Sequence, residues 1–181
     1  VLFGGDGLIT KQGLRKPSYY AYSFLQKAGP YYLGKNEYAI VFGNDFLDYQ
    51  IICHNCKRLS YHYYLDEMKQ QLEKMERYFD DENEKELKIR LENVKNGRYI
   101  VKKHSVNIEH GSVQDELRRI APYEKIIMPA FLHNYDVEYL KQILVPQQTL
   151  RTYEVKDEVL ELQITLSANE ICYLNIQYAY E

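Results

Sequence analysis

From Glu37 onward the apolar positions recur mainly in strand-like runs, and the segment 96–120 shows the pattern best. Asn96-Gly97 suits a tight turn between strands because such a pair tolerates positive φ. Tyr99, Val101 and Lys103 then alternate with Ile100, Lys102 and His104, with enough β-branched and aromatic content for a strand. His110-Gly111-Ser112 ends the alternation, since Gly permits a sharp corner and Ser can cap a helical turn beginning after it. Residues 115–120 read as one short helical turn.

Runs at 38–42 and 49–53, separated by Gly43-Asn44-Asp45, predict a hairpin. Leu87, Ile89 and Leu91 alternate with Lys88 and Arg90, a half-buried strand. Further strands are expected at 151–155, 159–166 and 171–178. Helical spacing is rarer. Pro17 opens a helix expected over 17–28, with Tyr19, Tyr20, Phe24 and Leu25 on its apolar face and Gly29-Pro30 as its stop. Residues 29–36 then connect to the first strand. Leu65, Met68, Leu72 and Met75 predict an amphipathic helix over 65–79, followed by a solvated acidic loop at 80–84. Pro122 and Pro129 bracket a loop, and a short helix at 137–144 closes at Pro146. At the start, Val1-Leu2-Phe3 looks like a buried strand end running into the Gly4-Gly5-Asp6-Gly7 loop, which is neither a P-loop nor a dinucleotide fingerprint. Seven or so strands with turns between them predict a mainly β chain, an antiparallel β-sandwich with a few peripheral helices.

Composition narrows the function. A 45% hydrophobic content supports a core, and a net charge of -3 gives no basic surface for nucleic acid. No run approaches a membrane span, and 19 Tyr with no Trp favour strands with a half-wet surface. Three Cys, an odd number, make no disulfide framework and fit a reducing, cytoplasmic setting. Val1 stands where Met would begin a full chain, so a fragment is expected.

Each candidate chemistry meets a plainer account. Cys53-His54-Asn55-Cys56, with His54 or His62, resembles half a zinc or redox site, but a single CxxC at a strand end is better read as one buried and one loop Cys. No metal and no cofactor are expected. His110, Ser112 and Asp115 hold triad residue types, yet sequence neighbours on a turn rarely assemble a triad, so a structural corner at His110, Gly111 and Ser112 is expected. Glu109, Asp115 and Glu116 are not placed to face one another across a cleft, as glycoside hydrolysis demands. Tyr31-Tyr32 and the Tyr residues at 61–64 are of a kind that stacks on sugars, which would suit an independent carbohydrate-binding module. Tyr is too abundant here for such clusters to weigh much.

YIVKKHSVNIEHGSVQDELRRI resembles the strand-and-corner segment, an R-x-N-x-x-HGS-x-x-D-x-W type of pattern, of glycoside hydrolase family 39 proteins related to β-xylosidases. LFGGDGLITKQGLRKPSYYAYSFLQKAG is similar to the last strand, loop and helix of that family's barrel, and VEYLKQILVPQQTLRTYEVKDEVLELQITLSANEICYLNIQ to its closing segment. The likeness is greatest to versions fused behind AraC-type regulators. Leu117 departs from it, standing where an aromatic is usual, and so does the helical character of 65–79.

The resemblance implies that residues 1–30 are the last strand and helix of a (β/α)8 barrel and residues 31–181 a β-sandwich accessory domain. The family's two catalytic Glu residues lie on barrel strands upstream of Val1, so no catalytic residue carries over. Phe3, Gly4, Gly5 and Asp6 match the last barrel loop and would lie near sugar only with the barrel present. The implied partner is the missing barrel of the same chain, with self-association through an uncovered apolar strip on the 17–28 helix. No nucleic-acid or membrane partner is implied. The chain would buttress a sugar-binding barrel; alternatively it would be the sugar-sensing or assembly region of an AraC-type transcriptional regulator.

Overall fold

The computed structural model describes residues 7–60, 78–120 and 133–180. Three helices are named in it: α1 (Pro17–Leu25), α2 (Val113–Ile120) and α3 (Asn134–Ile143). The strands are β1 (Tyr31–Lys35), β2 (Ala39–Gly43), β3 (Tyr49–His54), β4 (Lys85–Glu92), β5 (Gly97–Val106), β6 (Gln147–Val155), β7 (Val159–Leu166) and β8 (Ile171–Tyr178). All pairings are antiparallel. They form a six-stranded sheet, β1-β2-β3-β8-β5-β6, and a two-stranded sheet, β4-β7. The chain is thus mainly β, as expected.

Burial reflects this inequality of the sheets. β7 carries Leu160, Leu162, Ile164 and Leu166 inward and polar residues outward, because one face of the small sheet meets water. With Leu87 of β4 they pack on Ile51, Cys53, Val101, Cys172, Leu174 and Ile176 of the large sheet. β3 and β8 read as continuous apolar runs because they are covered on both faces. Their outer residues, Ile52 and Tyr173, meet Tyr20 and Phe24 of α1 together with Val106 of β5. Burying each large side chain contributes about 1.5–3 kcal/mol. A third cluster, Leu14, Val113, Leu117, Leu140 and Leu144, joins α2 and α3 to the loop before α1. Leu117, which departs from the family pattern, is 1% exposed and central to that cluster.

β6 starts at Gln147, α2 at Val113 and α3 at Asn134, each a few residues before its expected start, and three further expectations need correction. Residues 29–36 hold β1, an edge strand whose Tyr31, Tyr32 and Leu33 are all exposed. With no buried face, no alternation marks it, and a register shift between Tyr32 and Gly34 interrupts it further. α1 ends at Leu25, and that residue is 51% exposed. Only Tyr20 and Phe24, four residues apart on one helix face, are buried. The helix expected over 65–79 does not reach Phe79, which bridges to Leu59. Its earlier residues lie outside the described residues, as do Phe3 to Asp6, the Tyr cluster at 61–64, His62, Pro122 and Pro129.

Candidate functional site

Three features hold the side chains that sequence reasoning singled out or overlooked. The first is the corner after β5. Asn107 accepts the backbone N–H groups of Glu109 at 3.0 Å and His110 at 2.9 Å, while its own N–H donates to the His110 carbonyl at 2.9 Å. Gly111 then adopts φ +79°, and a Cβ there would lie 3.2 Å from both methyls of Val106. Ser112 hydrogen-bonds Asp115, whose N–H approaches the Ser112 hydroxyl at 3.5 Å, the geometry of a helix cap. Ser112 therefore engages a carboxylate one turn along α2, and His110 contributes its backbone to the turn. His110, Ser112 and Asp115 do not form a relay.

The second feature is the helical side of the sandwich. Phe24 stacks on Tyr173, and the Tyr20 hydroxyl donates to the Leu144 carbonyl, so α1 ties the sheet to the end of α3. His104 lies between, 5.9 Å from the Tyr173 ring; burial, then Lys27 and Lys102, hold its imidazole below the usual range. The opposite side of α1 leaves Tyr22 60% exposed, and α3 leaves Tyr135 89% and Tyr139 50% exposed. Aromatic side chains on both helices thus face solvent.

The third feature is a buried carboxylate that no motif announced. Glu170 is 4% exposed and accepts from Lys103 Nζ at 2.9 Å, Ser105 Oγ at 2.8 Å, the Ser167 N–H at 3.0 Å and Ser167 Oγ at 3.1 Å. Burial pushes its pKa up, but Lys103, the Ser167 N–H and Ser105 outweigh this and hold the carboxyl below its usual range. Nearby, Asn55 donates to the carbonyls of Asn83, Leu166 and Ser167, locking the strand ends together. Both oxygens of the Glu170 carboxylate are taken up by the protein, which makes it a strut.

The CxxC pair does not converge. Cys53 is buried and opposes Cys172 across β3 and β8, while Cys56 is exposed. The proximity of Cys172, then burial, pushes the Cys53 thiol far up. Among the described residues, no group of three metal-ligating side chains comes together. The Cys53–Cys172 and Lys103–Glu170 pairings were illegible beforehand, because each joins positions remote in sequence that meet only through strand register.

No family model and no curated protein matches the sequence. Solved structures do. The chain is similar to the GH39 enzyme from Xanthomonas axonopodis pv. citri, with TM-score 0.72 and 17% identity over 97% of this chain and 33% of that one. It is equally similar to a monomeric β-xylosidase from Caulobacter crescentus, with TM-score 0.72 and 17% identity over 98% of this chain and 34% of that one. A bacterial orthologue of human α-L-iduronidase matches less well, with TM-score 0.58 and 8% identity over 92% of this chain and 28% of that one. The chain therefore has the fold of one part of these glycosidases and spans about a third of their length. No described helix is long and apolar enough to cross a membrane.

Proposed function

We propose that this chain is a non-catalytic β-sandwich domain of a longer glycoside hydrolase family 39-like protein, and that it buttresses a sugar-binding barrel. The observation that carries this is the match over 97% of the chain to a third of a family 39 enzyme at TM-score 0.72. In this reading residues 1–30, with α1, are the last unit of the barrel, and 31–181 are the sandwich. The outward Tyr22, Tyr135 and Tyr139 support it, because a barrel would cover such side chains. So does the chemistry of the described polar groups: Glu170 and Ser112 spend their oxygens on internal hydrogen bonds. The corner of His110, Gly111 and Ser112 serves architecture, turning β5 into α2 at the junction of sheet and helices. Phe3, Gly4, Gly5 and Asp6 would border the sugar site of the assembled parent.

The test is to read the gene upstream of the Val1 codon. A barrel-like βα repeat with two Glu residues at strand ends is expected. A helix-turn-helix pattern ahead of the barrel would make the parent an AraC-type regulator that keeps the barrel as a sugar sensor. An upstream region with no barrel would overturn the proposal.

A further inference from the structure

The smaller sheet stops short. β7 pairs with β4 along its whole length but has no strand on its other edge among the described residues. Two contacts fix the direction of its backbone groups. Glu158, just before β7, turns its carbonyl toward the β4 side, where the Val94 N–H donates at 2.9 Å. Thr165 turns its carbonyl the other way, toward Lys103 Nζ of β5 at 3.5 Å. Successive strand residues alternate in this respect, and both polar groups of one residue share an edge. Glu161, Gln163 and Thr165 therefore present N–H and C=O to the open side, while Leu162 and Ile164 bond to β4.

A cleft of about 230 Å³ lies beside that edge, between β7 and the inner face of β5 and β6. Val101, Leu174 and Tyr153 give it apolar surface, and Thr149 and Arg151 line its β6 wall. Among the described residues, Arg151 has no ion-pair partner and no carboxylate lines the cleft. A bare edge over an apolar floor is a liability that folded proteins cover.

Building on the proposed function, we infer that the β7 edge accepts one more strand, supplied by the part of the parent protein outside this chain. The occupant is an extended segment that bonds to Glu161, Gln163 and Thr165, sets an acidic side chain against Arg151 and rests an apolar one beside Tyr153. The cleft is bordered by β6 on one side and β7 on the other, which favours a single extended segment over the sheet edge of a second copy. A single extended segment needs only the width of one strand, roughly 4.8 Å. The solved structures of this fold, about three times longer, hold ample chain to supply it.

Amide hydrogen exchange on the longer protein and on the 181-residue chain tests this. In the longer protein the amides of Glu161, Gln163 and Thr165 should exchange at least roughly tenfold more slowly, while those of Leu162 and Ile164 change by less than about twofold. A variant guards the result. Gln163→Pro removes an N–H that on this geometry no described residue of the chain accepts, so it should lower the melting temperature of the longer protein more than that of the chain. If a barrel is present but the three amides exchange equally fast in both, the strand inference fails and the proposed function stands. A longer protein without a barrel overturns the proposed function, and a gene encoding no longer protein overturns both.

Discussion

The Phe24 ring stacks on Tyr173 with centroids 5.7 Å apart and planes 20° from parallel. Together with Tyr20, this contact seats α1 on β8, one of the two central strands of the large sheet, with Lys27 5.5 Å above the Tyr173 ring. Phe24 is 1% exposed, whereas Leu25 beside it is 51% exposed. Phe24→Ala should cost about 3–5 kcal/mol, the range for emptying a buried aromatic site. Leu25→Ala should stay within about 0.5 kcal/mol, as exposed substitutions do. Urea unfolding of the two variants checks both values, and equal losses would mean that α1 is not seated as described.

Gly111 carries φ +79° against two Val106 methyls, so a β-branched side chain meets both backbone strain and a collision. Gly111→Val should destabilise by about 1–3 kcal/mol. An unchanged melting temperature would remove the architectural role assigned to the corner.

Glu170 links folding to pH, and its depressed folded pKa sets the sign. The stabilisation is present above the unfolded value, about 4.3 for Glu, and is lost as pH falls through the lower folded value. The melting temperature of the chain should therefore drop more steeply below about pH 4.3 than that of Glu170→Gln. At neutral pH, Glu170→Ala should cost about 3 kcal/mol, the low end for breaking a buried pair. The low end applies because the Lys103 side chain is 26% exposed and regains some hydration. Thermal scans from neutral to acid pH decide the matter.

The three cysteines differ in reach. Cys56 is exposed, whereas Cys53 and Cys172 are buried between the sheets. Titration with a thiol reagent should find Cys56 at once in the native chain and the other two only in denaturant, since the reagent cannot reach a buried thiol. Immediate reaction of all three would contradict the placement of Cys53.

How much of this was legible beforehand depends on what each element buries. β7 and β8 were readable to the residue, because their apolar positions face a core and turn signals bracket them. β1 was not, since an edge strand with no buried face leaves no alternation to read. Leu25 was misplaced on the α1 face because its apolar character does not show that the helix meets the sheet through Tyr20 and Phe24, with Tyr19 beside them. The corner at Gly111 announced itself through local turn chemistry. Glu170 did not, because Lys103, Ser105 and Ser167 converge on it from one strand and a loop remote from one another in sequence. The resemblance to family 39 proteins pointed to the fold that the solved structures share.

By itself the chain should be catalytically inert and prone to associate. Tyr22, Tyr135 and Tyr139 are exposed, and in the proposed reading a barrel would cover them. Sedimentation at increasing concentration should show reversible self-association, abolished by Tyr22→Asp with Tyr139→Asp. Incubation with an aryl β-xyloside should give no turnover that depends on a residue of the chain. A strict monomer at high concentration, or turnover lost on mutation within the chain, would contradict these expectations.

The proposed buttressing role is tested most directly by thermal unfolding of the longer protein made with and without the proposed sandwich, residues 31–181. A barrel deprived of the sandwich should melt several degrees lower, as roughly 1–2 kcal/mol of lost support requires, and should lose glycosidase activity or sugar binding with it. A truncated barrel that melts at the same temperature and keeps full activity would contradict the account.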